Sequence, residues 1–199
     1  MNRTREEKKK KTRASILKAS LKLFSEKGLE NTSISDIVEV SNIGRGTFYN
    51  YYKTSTDVFC DILETLNQDI DRDIKAAQAG VTDVYQFLFV SFKAYFDLVS
   101  TEDMVLFHMH NQNQIRKLSY TSDSIINVVN NLKDSLMKFE HITFKSTEFY
   151  KMFSLVAISS ASELFICLHQ GYFETSKDTM AHFLADLFVH GLEGLSEPE

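Results

Sequence analysis

Proline is almost missing from this 199-residue chain: the single one is Pro198, next to the end. Glycine is scarce too, with seven. A β-sandwich or barrel needs turn residues every ~8–12 positions, and too few are present. Long uninterrupted helices, and hence an all-α fold, are the economical reading. Cysteine occurs twice, as Cys60 and Cys167, too far apart for metal-type spacing. Two free thiols in a reducing cytoplasm are expected. No run approaches the ~18 apolar residues of a membrane span; even "VYQFLFVSFKAYFDLVS" is broken by Lys93 and Asp97. The N-terminus, "MNRTREEKKKKTRAS", lacks the apolar stretch of a signal peptide. A cytoplasmic location and no membrane partner are the corresponding expectations.

What is present is ordinary in amount and uneven in placement. Hydrophobic residues make up 43% and charged residues 25%, values of a folded globular chain. The net charge of −5 conceals an asymmetry. Residues 1–53 hold 12 Lys and Arg against 6 Asp and Glu, whereas residues 54–199 hold 10 against 21. A basic first quarter on an acidic body suits a module for a polyanion joined to something else.

Helical periodicity covers nearly the whole chain. Residues 8–27 carry Ile16, Leu17, Ala19, Leu21, Leu23 and Phe24 on one face and stop at Gly28. In "ENTSISDIVEV", Thr32 or Ser33 can cap a helix, with Asp36 in its first turn and a stripe of Ile34, Ile37 and Val40. "SNIG" is a four-residue turn, and "RGTFYNYY" predicts two further helical turns. A helix capped by Thr54 or Ser55 runs on to Ala79. Longer amphipathic helices are predicted over 82–100, 102–118, 121–140, 146–170 and 175–193, with a frayed tail "SEPE".

Two short helices around a tight turn, behind a supporting helix, form a helix-turn-helix unit. Ile37, Val40, Ile43, Phe48 and Tyr52 can supply its apolar seam. The outer face of the second helix offers Arg45, Thr47, Tyr49, Asn50 and Tyr51 to phosphates and base edges. Gly46 lets backbone approach DNA closely, and Lys53 places a charge beside a helix N-terminus. "GLENTSISDIVEVSNIGRGTFYNYYKTSTDVF", residues 28–59, resembles the N-terminal DNA-binding domain of the TetR family of bacterial transcriptional regulators. Position by position, the resemblance places Arg45, Thr47, Tyr49 and Asn50 at bases or nearby phosphates. It places Thr32, Ser33, Tyr51 and Lys53 on the DNA backbone. Three departures stand out: Asn42 where the family usually has glycine, Gly44 where it usually has a capping serine, and Ser55 for a common lysine.

The resemblance implies a DNA-binding domain at 1–53 and an effector-binding, dimerising domain at 54–199. It implies a repressor released from a palindromic double-stranded DNA operator by a small molecule, with activation or effector-independent binding left open. Apolar residues on several faces of 84–96 belong at the centre of a bundle. Candidate effector contacts are Leu66, Phe89, Phe92, Phe96, Phe107, His108, Gln112 and Glu163, around a mostly apolar cavity. His108 is either a core histidine or a ligand contact. Glu163 either meets a cationic effector or a partner subunit, or reaches solvent. The acidic body favours a neutral or cationic apolar effector over an anion. His108 and His110, two apart on a helix, diverge too far to share a metal, and no cofactor is expected. No nucleophile–base spacing or phosphate loop suggests an enzyme. "AISSAS" and the apolar positions Phe149, Phe153, Val156, Phe183, Leu184, Leu187, Phe188, Gly191 and Leu192 predict a four-helix homodimer interface.

Overall fold

The structure, a computed structural model, describes residues 2–119, 123–139 and 146–194. Among them are nine helices and no strand: α1 (Asn2–Lys27), α2 (Ile34–Ser41), α3 (Arg45–Tyr49), α4 (Ser55–Ala77), α5 (Val84–Val99), α6 (Glu102–Ser119), α7 (Asp123–Leu136), α8 (Thr147–His169) and α9 (Lys177–Gly194). The all-α class is as expected. Of the predicted break at 119–122, Ser119 still belongs to α6 and the rest lies outside the described residues, as do the predicted break at 140–145 and the tail 196–199. Two elements differ from expectation. α1 begins about two turns early, at Asn2. α3 is one turn of α-helix, after which Asn50 and Tyr51 bond back three residues, to Thr47 and Phe48.

The chain forms two compact units, Met1–Leu66 with Glu102–Thr121, and Asn67–Thr101 with Ser122–Glu199. The first is built on Ile16, Phe24, Ile37, Phe48, Phe59 and Phe107, all wholly buried. Phe59 packs edge-on to Phe24 at 5.3 Å and stacks on Phe107 at 5.2 Å. α6 joins this unit because it finishes the C-terminus of α1. A helix end leaves carbonyls without intrahelical partners. Asn111 Nδ2 donates to the carbonyl of Phe24 (2.8 Å), and its Oδ1 accepts from the Leu29 N–H (2.7 Å). The His110 ring meets the carbonyl of Ser25. Asn111 leaves helical geometry (φ −127°, ψ 17°) and kinks α6. Gly28, at φ +79°, has the left-handed conformation of a helix C-terminus, and a Cβ there would lie 3.0 Å from the carbonyl oxygen of His110.

In the second unit α5 packs chiefly on α9 and also meets α8, burying Phe87, Leu88, Phe92, Phe96 and Val99. Lys93 reaches Asp178, and Lys177 reaches Asp97, pinning α5 to α9. With a mean hydropathy of 1.6, α8 is long and apolar enough to cross a membrane, contrary to the expectation that no segment would be. It buries Tyr150, Ala157, Ala161 and Phe165 within this unit.

Candidate nucleic-acid interface

α2 starts at Ser33, whose hydroxyl accepts from the Asp36 N–H (3.2 Å) while Asp36 Oδ2 accepts from the Ser33 N–H (2.8 Å). This capping box satisfies donors that the helix cannot use. Lys27, at the end of α1, donates to the same carboxylate at 2.9 Å. Lys27 first, then Ser33, hold the Asp36 carboxyl down at about 2. α1 and α2 are thereby fixed at the corner from which the turn departs.

The turn needs one left-handed residue, and Asn42 takes that place (φ 53°, ψ 44°). Asparagine tolerates this conformation better than other side chains do, which explains how it stands where glycine is usual. The N–H groups of Asn42 and Ile43 close the end of α2 on Glu39 and Val38. Gly44 is the N-cap of α3 with extended geometry and no side-chain bond. α3 then buries Phe48 completely and leaves Arg45, Gly46, Tyr49 and Asn50 exposed, with Thr47 half-buried. Nothing lies within 4 Å of a Cβ built on Gly46, so its outer side is open. Phe48 and Tyr52 face inward and Tyr49 outward, as the spacing predicts, but Tyr51, expected on the outer face, is half-buried against the core.

Two candidate positions are held in ways the sequence did not reveal. Thr32 is 5% exposed and its hydroxyl donates to the Gly28 carbonyl at 2.7 Å, so it closes the α1–α2 corner. At the start of α4 the N–H groups of Lys53 and Thr54 both donate to Asp57 Oδ2 at 2.9 Å. The helix N-terminus thus already has its anion, and what Lys53 presents outward is its exposed ammonium.

One cluster escaped sequence reasoning. Asp61 on α4 accepts from Arg13 of α1 (Nε, 3.1 Å) and from the hydroxyl of Tyr52, two residues before α4's Thr54 cap. Burial first, then the Asp61 bond, pushes the Tyr52 phenol up, so it stays a donor. This carboxylate ties together the supporting helix, the end of the recognition segment and α4. The partners are 48 and 9 residues apart, and no local pattern marks them.

The candidate effector residues divide between the units. Leu66, Phe107, His108 and Gln112 belong to the first; Phe89, Phe92, Phe96 and Glu163 to the second. Phe107 is part of the first unit's core, and buried His108 has its Nδ1 2.8 Å from the Met104 carbonyl. Burial pushes the His108 ring down, toward its neutral form. Phe89 stacks on His182 at 4.1 Å, Phe92 on Phe188 at 5.8 Å, and Glu163 is exposed.

A short capped helix, a tight left-handed turn and an exposed polar recognition segment define a helix-turn-helix DNA-binding unit in an all-α chain. Residues 16–60 match the model of the bacterial regulatory proteins, tetR family. The chain is 34% identical over 92 residues to an uncharacterized HTH-type transcriptional regulator, YfiR, of Bacillus subtilis, covering 46% of this chain and 42% of that one. It is 33% identical over 70 residues to the HTH-type transcriptional regulator AcrR of Shigella flexneri, covering 35% and 33%. The chain therefore spans less than half the length of these curated relatives. Over most of its length it shares the fold of the transcriptional regulator FadR from Bacillus subtilis, solved with stearoyl-CoA (TM-score 0.74, 15% identity, 89% of this chain and 98% of that one). A putative TetR-family regulator from Syntrophomonas wolfei is similar in the same way (TM-score 0.69, 21% identity, 96% and 100%).

Proposed function

We propose that the protein is a transcriptional repressor that binds a palindromic operator as a homodimer and is released by a small apolar effector. The observation that carries the reading is the recognition segment itself. Arg45, Tyr49, Asn50 and Lys53 are exposed on a segment anchored by Phe48, Tyr52 and Asp61. In this reading Arg45, Thr47, Tyr49 and Asn50 address base edges and nearby phosphates; Ser33, Tyr51 and Lys53 hold the backbone. Dimerisation is supported by exposed apolar side chains on α8 and α9: Phe149, Met152 and Val156, then Phe183 and Leu187, each more than half exposed. Their helical spacing makes one stripe on each helix, as a four-helix interface requires. DNA recognition resides in residues 1–53, and effector binding and dimerisation in 54–199.

The effector acts through α4, a single helix whose first half belongs to the DNA-binding unit and whose second half belongs to the other. A coupling of only about 1–3 kcal/mol changes operator affinity ~5–150-fold. The aromatic residues Phe89, Phe92 and Phe96 suit an apolar ligand, and the acidic body favours a neutral or cationic one. The fold neighbour solved with stearoyl-CoA puts acyl thioesters on the test panel as the competing class.

The test is operator selection from random duplex DNA, followed by release measured against lipophilic cations, neutral aromatics and acyl thioesters. A selected palindrome released by the first or second class is expected. Selection of no sequence would sink the regulator reading. A palindrome indifferent to every class would leave an effector-independent regulator, and raised transcription from it would make the protein an activator.

A further inference from the structure

We propose that the first turns of α1, residues 5–11, form a second DNA contact, gripping phosphates beside the recognition segment; this rests on the reading of the protein as a DNA-binding regulator. Five cations, Arg5, Lys8, Lys9, Lys10 and Lys11, stand in seven positions, against Glu6 and Glu7. Residues 4–11 are all exposed, and the first buried residue of α1 is Ile16. None of the four lysines is in an ion pair among the described residues. Like charges three and four apart destabilise a helix, and these turns have no apolar face with which to offset that. A polyanion laid along them removes the repulsion.

The fold places these turns where DNA would be. Arg13 meets Asp61, which also holds Tyr52 at the end of the recognition segment. Ser15 Oγ donates to the carbonyl of Ser41, at the helix-turn-helix turn, at 3.2 Å. The opposite end of α1, at Lys27, is on Asp36 and away from this edge. Going upstream from Arg13, α1 therefore leaves the core beside the turn and the recognition segment. The stripe that buries Phe24, Ser20 and Ile16 continues in steps of four as Thr12 and Lys8, changing from core to cation on one face. Seven residues of helix span ~10 Å, and duplex DNA carries a phosphate charge every ~1.7 Å of axis. Two or three phosphates per protomer are within reach. Such contacts add affinity without adding sequence information.

The experiment compares the full chain with a variant carrying Lys8→Ala, Lys9→Ala, Lys10→Ala and Lys11→Ala. Binding to the selected operator and to a random duplex is measured from about 50 to 200 mM salt. Alanine favours helix and the replaced residues are exposed, so the melting temperature should not fall. Over the two protomers of a dimer, the slope of log affinity against log salt should become shallower by about 4–5, at ~0.9 per lost phosphate contact. Operator and random affinities should fall together, by roughly tenfold or more, leaving their ratio unchanged. An unchanged slope, in the same assay where Lys53→Ala flattens it, overturns the proposal and leaves the regulator reading intact; the arm would then serve another partner, such as an acidic protein. A falling operator-to-random ratio would also overturn it, because these residues would then be reading sequence. If the wild type bound no duplex even at low salt, the regulator reading itself would fail.

Discussion

At the residue scale, the interface depends on two substitutions of expected side chains at the turn. Asn42 keeps the left-handed turn because its side chain tolerates positive φ, whereas Gly44 leaves α3 without a side-chain cap. The extended geometry of Gly44 (φ −72°, ψ 146°) is open to any residue, and an added Cβ would meet only Thr47 Oγ1, at an ordinary 3.7 Å. Gly44→Ser should therefore stabilise the fold by roughly 0.5–1 kcal/mol, from the cap and from a less flexible unfolded chain. Thermal melting checks this; a loss of stability would show that the turn needs its glycine. Asp36 makes a second prediction. Its folded-state carboxyl, at about 2, lies below its usual 3.8, so its contribution is present above pH ~4 and is lost as pH falls through 2. The melting temperatures of wild type and Asp36→Asn should differ at pH 5 and converge towards pH 2. A gap that stays constant across that range would mean the carboxylate's charge is not what stabilises α2.

At the scale of elements, the recognition segment has one turn of α-helix and owes its position to what surrounds it. Short helices are marginal in isolation. Phe48, wholly buried, and the Tyr52 hydroxyl on Asp61 therefore decide where Tyr49, Asn50 and Lys53 stand. Tyr52→Phe keeps the ring and removes the bond to a carboxylate that Arg13 still holds. It should cost about 1–2 kcal/mol of stability and weaken operator binding although Tyr52 is buried in the core. Melting and operator titration on one preparation test both halves; full affinity would mean that packing of Phe48 alone places the segment. The helices and caps of this region were legible because they are written in neighbours: Ser33 with Asp36, Thr54 with Asp57. The Arg13–Tyr52–Asp61 cluster was not, since charged residues at such separations pair in no pattern that periodicity reveals.

On the scale of the whole molecule, the exposed apolar stripes of α8 and α9 define what the assembled protein should be. Leu187 is half exposed in the single chain, while Leu184 and Phe188 on the same helix are turned inward, Phe188 against Phe153 at 5.2 Å. In a dimer, Leu187→Glu would bury a charge with no partner. It should yield folded monomers with little operator affinity, because paired recognition helices must sit about 34–36 Å apart, or a multiple, to meet successive turns of one face of DNA. Light scattering with circular dichroism is the measurement. A variant that remains dimeric would move the interface elsewhere, and a wild type that is monomeric yet binds its operator fully would remove the need for one.

The sequence by itself determined the all-helical class, the position of most helices, and the inward turn of Phe48 and Tyr52 against the outward turn of Tyr49. All of these rest on interactions three or four residues apart, where side-chain spacing and backbone geometry are coupled directly. Only the tertiary structure decided what each apolar face packs against. Phe107 and His108, read from the sequence as possible lining for a ligand, lie with α6 in the DNA-binding unit. Thr32 spends its hydroxyl on the end of α1. Asn111, which no local pattern in the sequence marks, satisfies the Phe24 carbonyl 87 residues away. Amphipathic spacing states that a face is buried, but its partner is chosen by packing between distant segments and by the unsatisfied backbone groups at helix ends. Those are properties of the folded chain, not of any stretch of it.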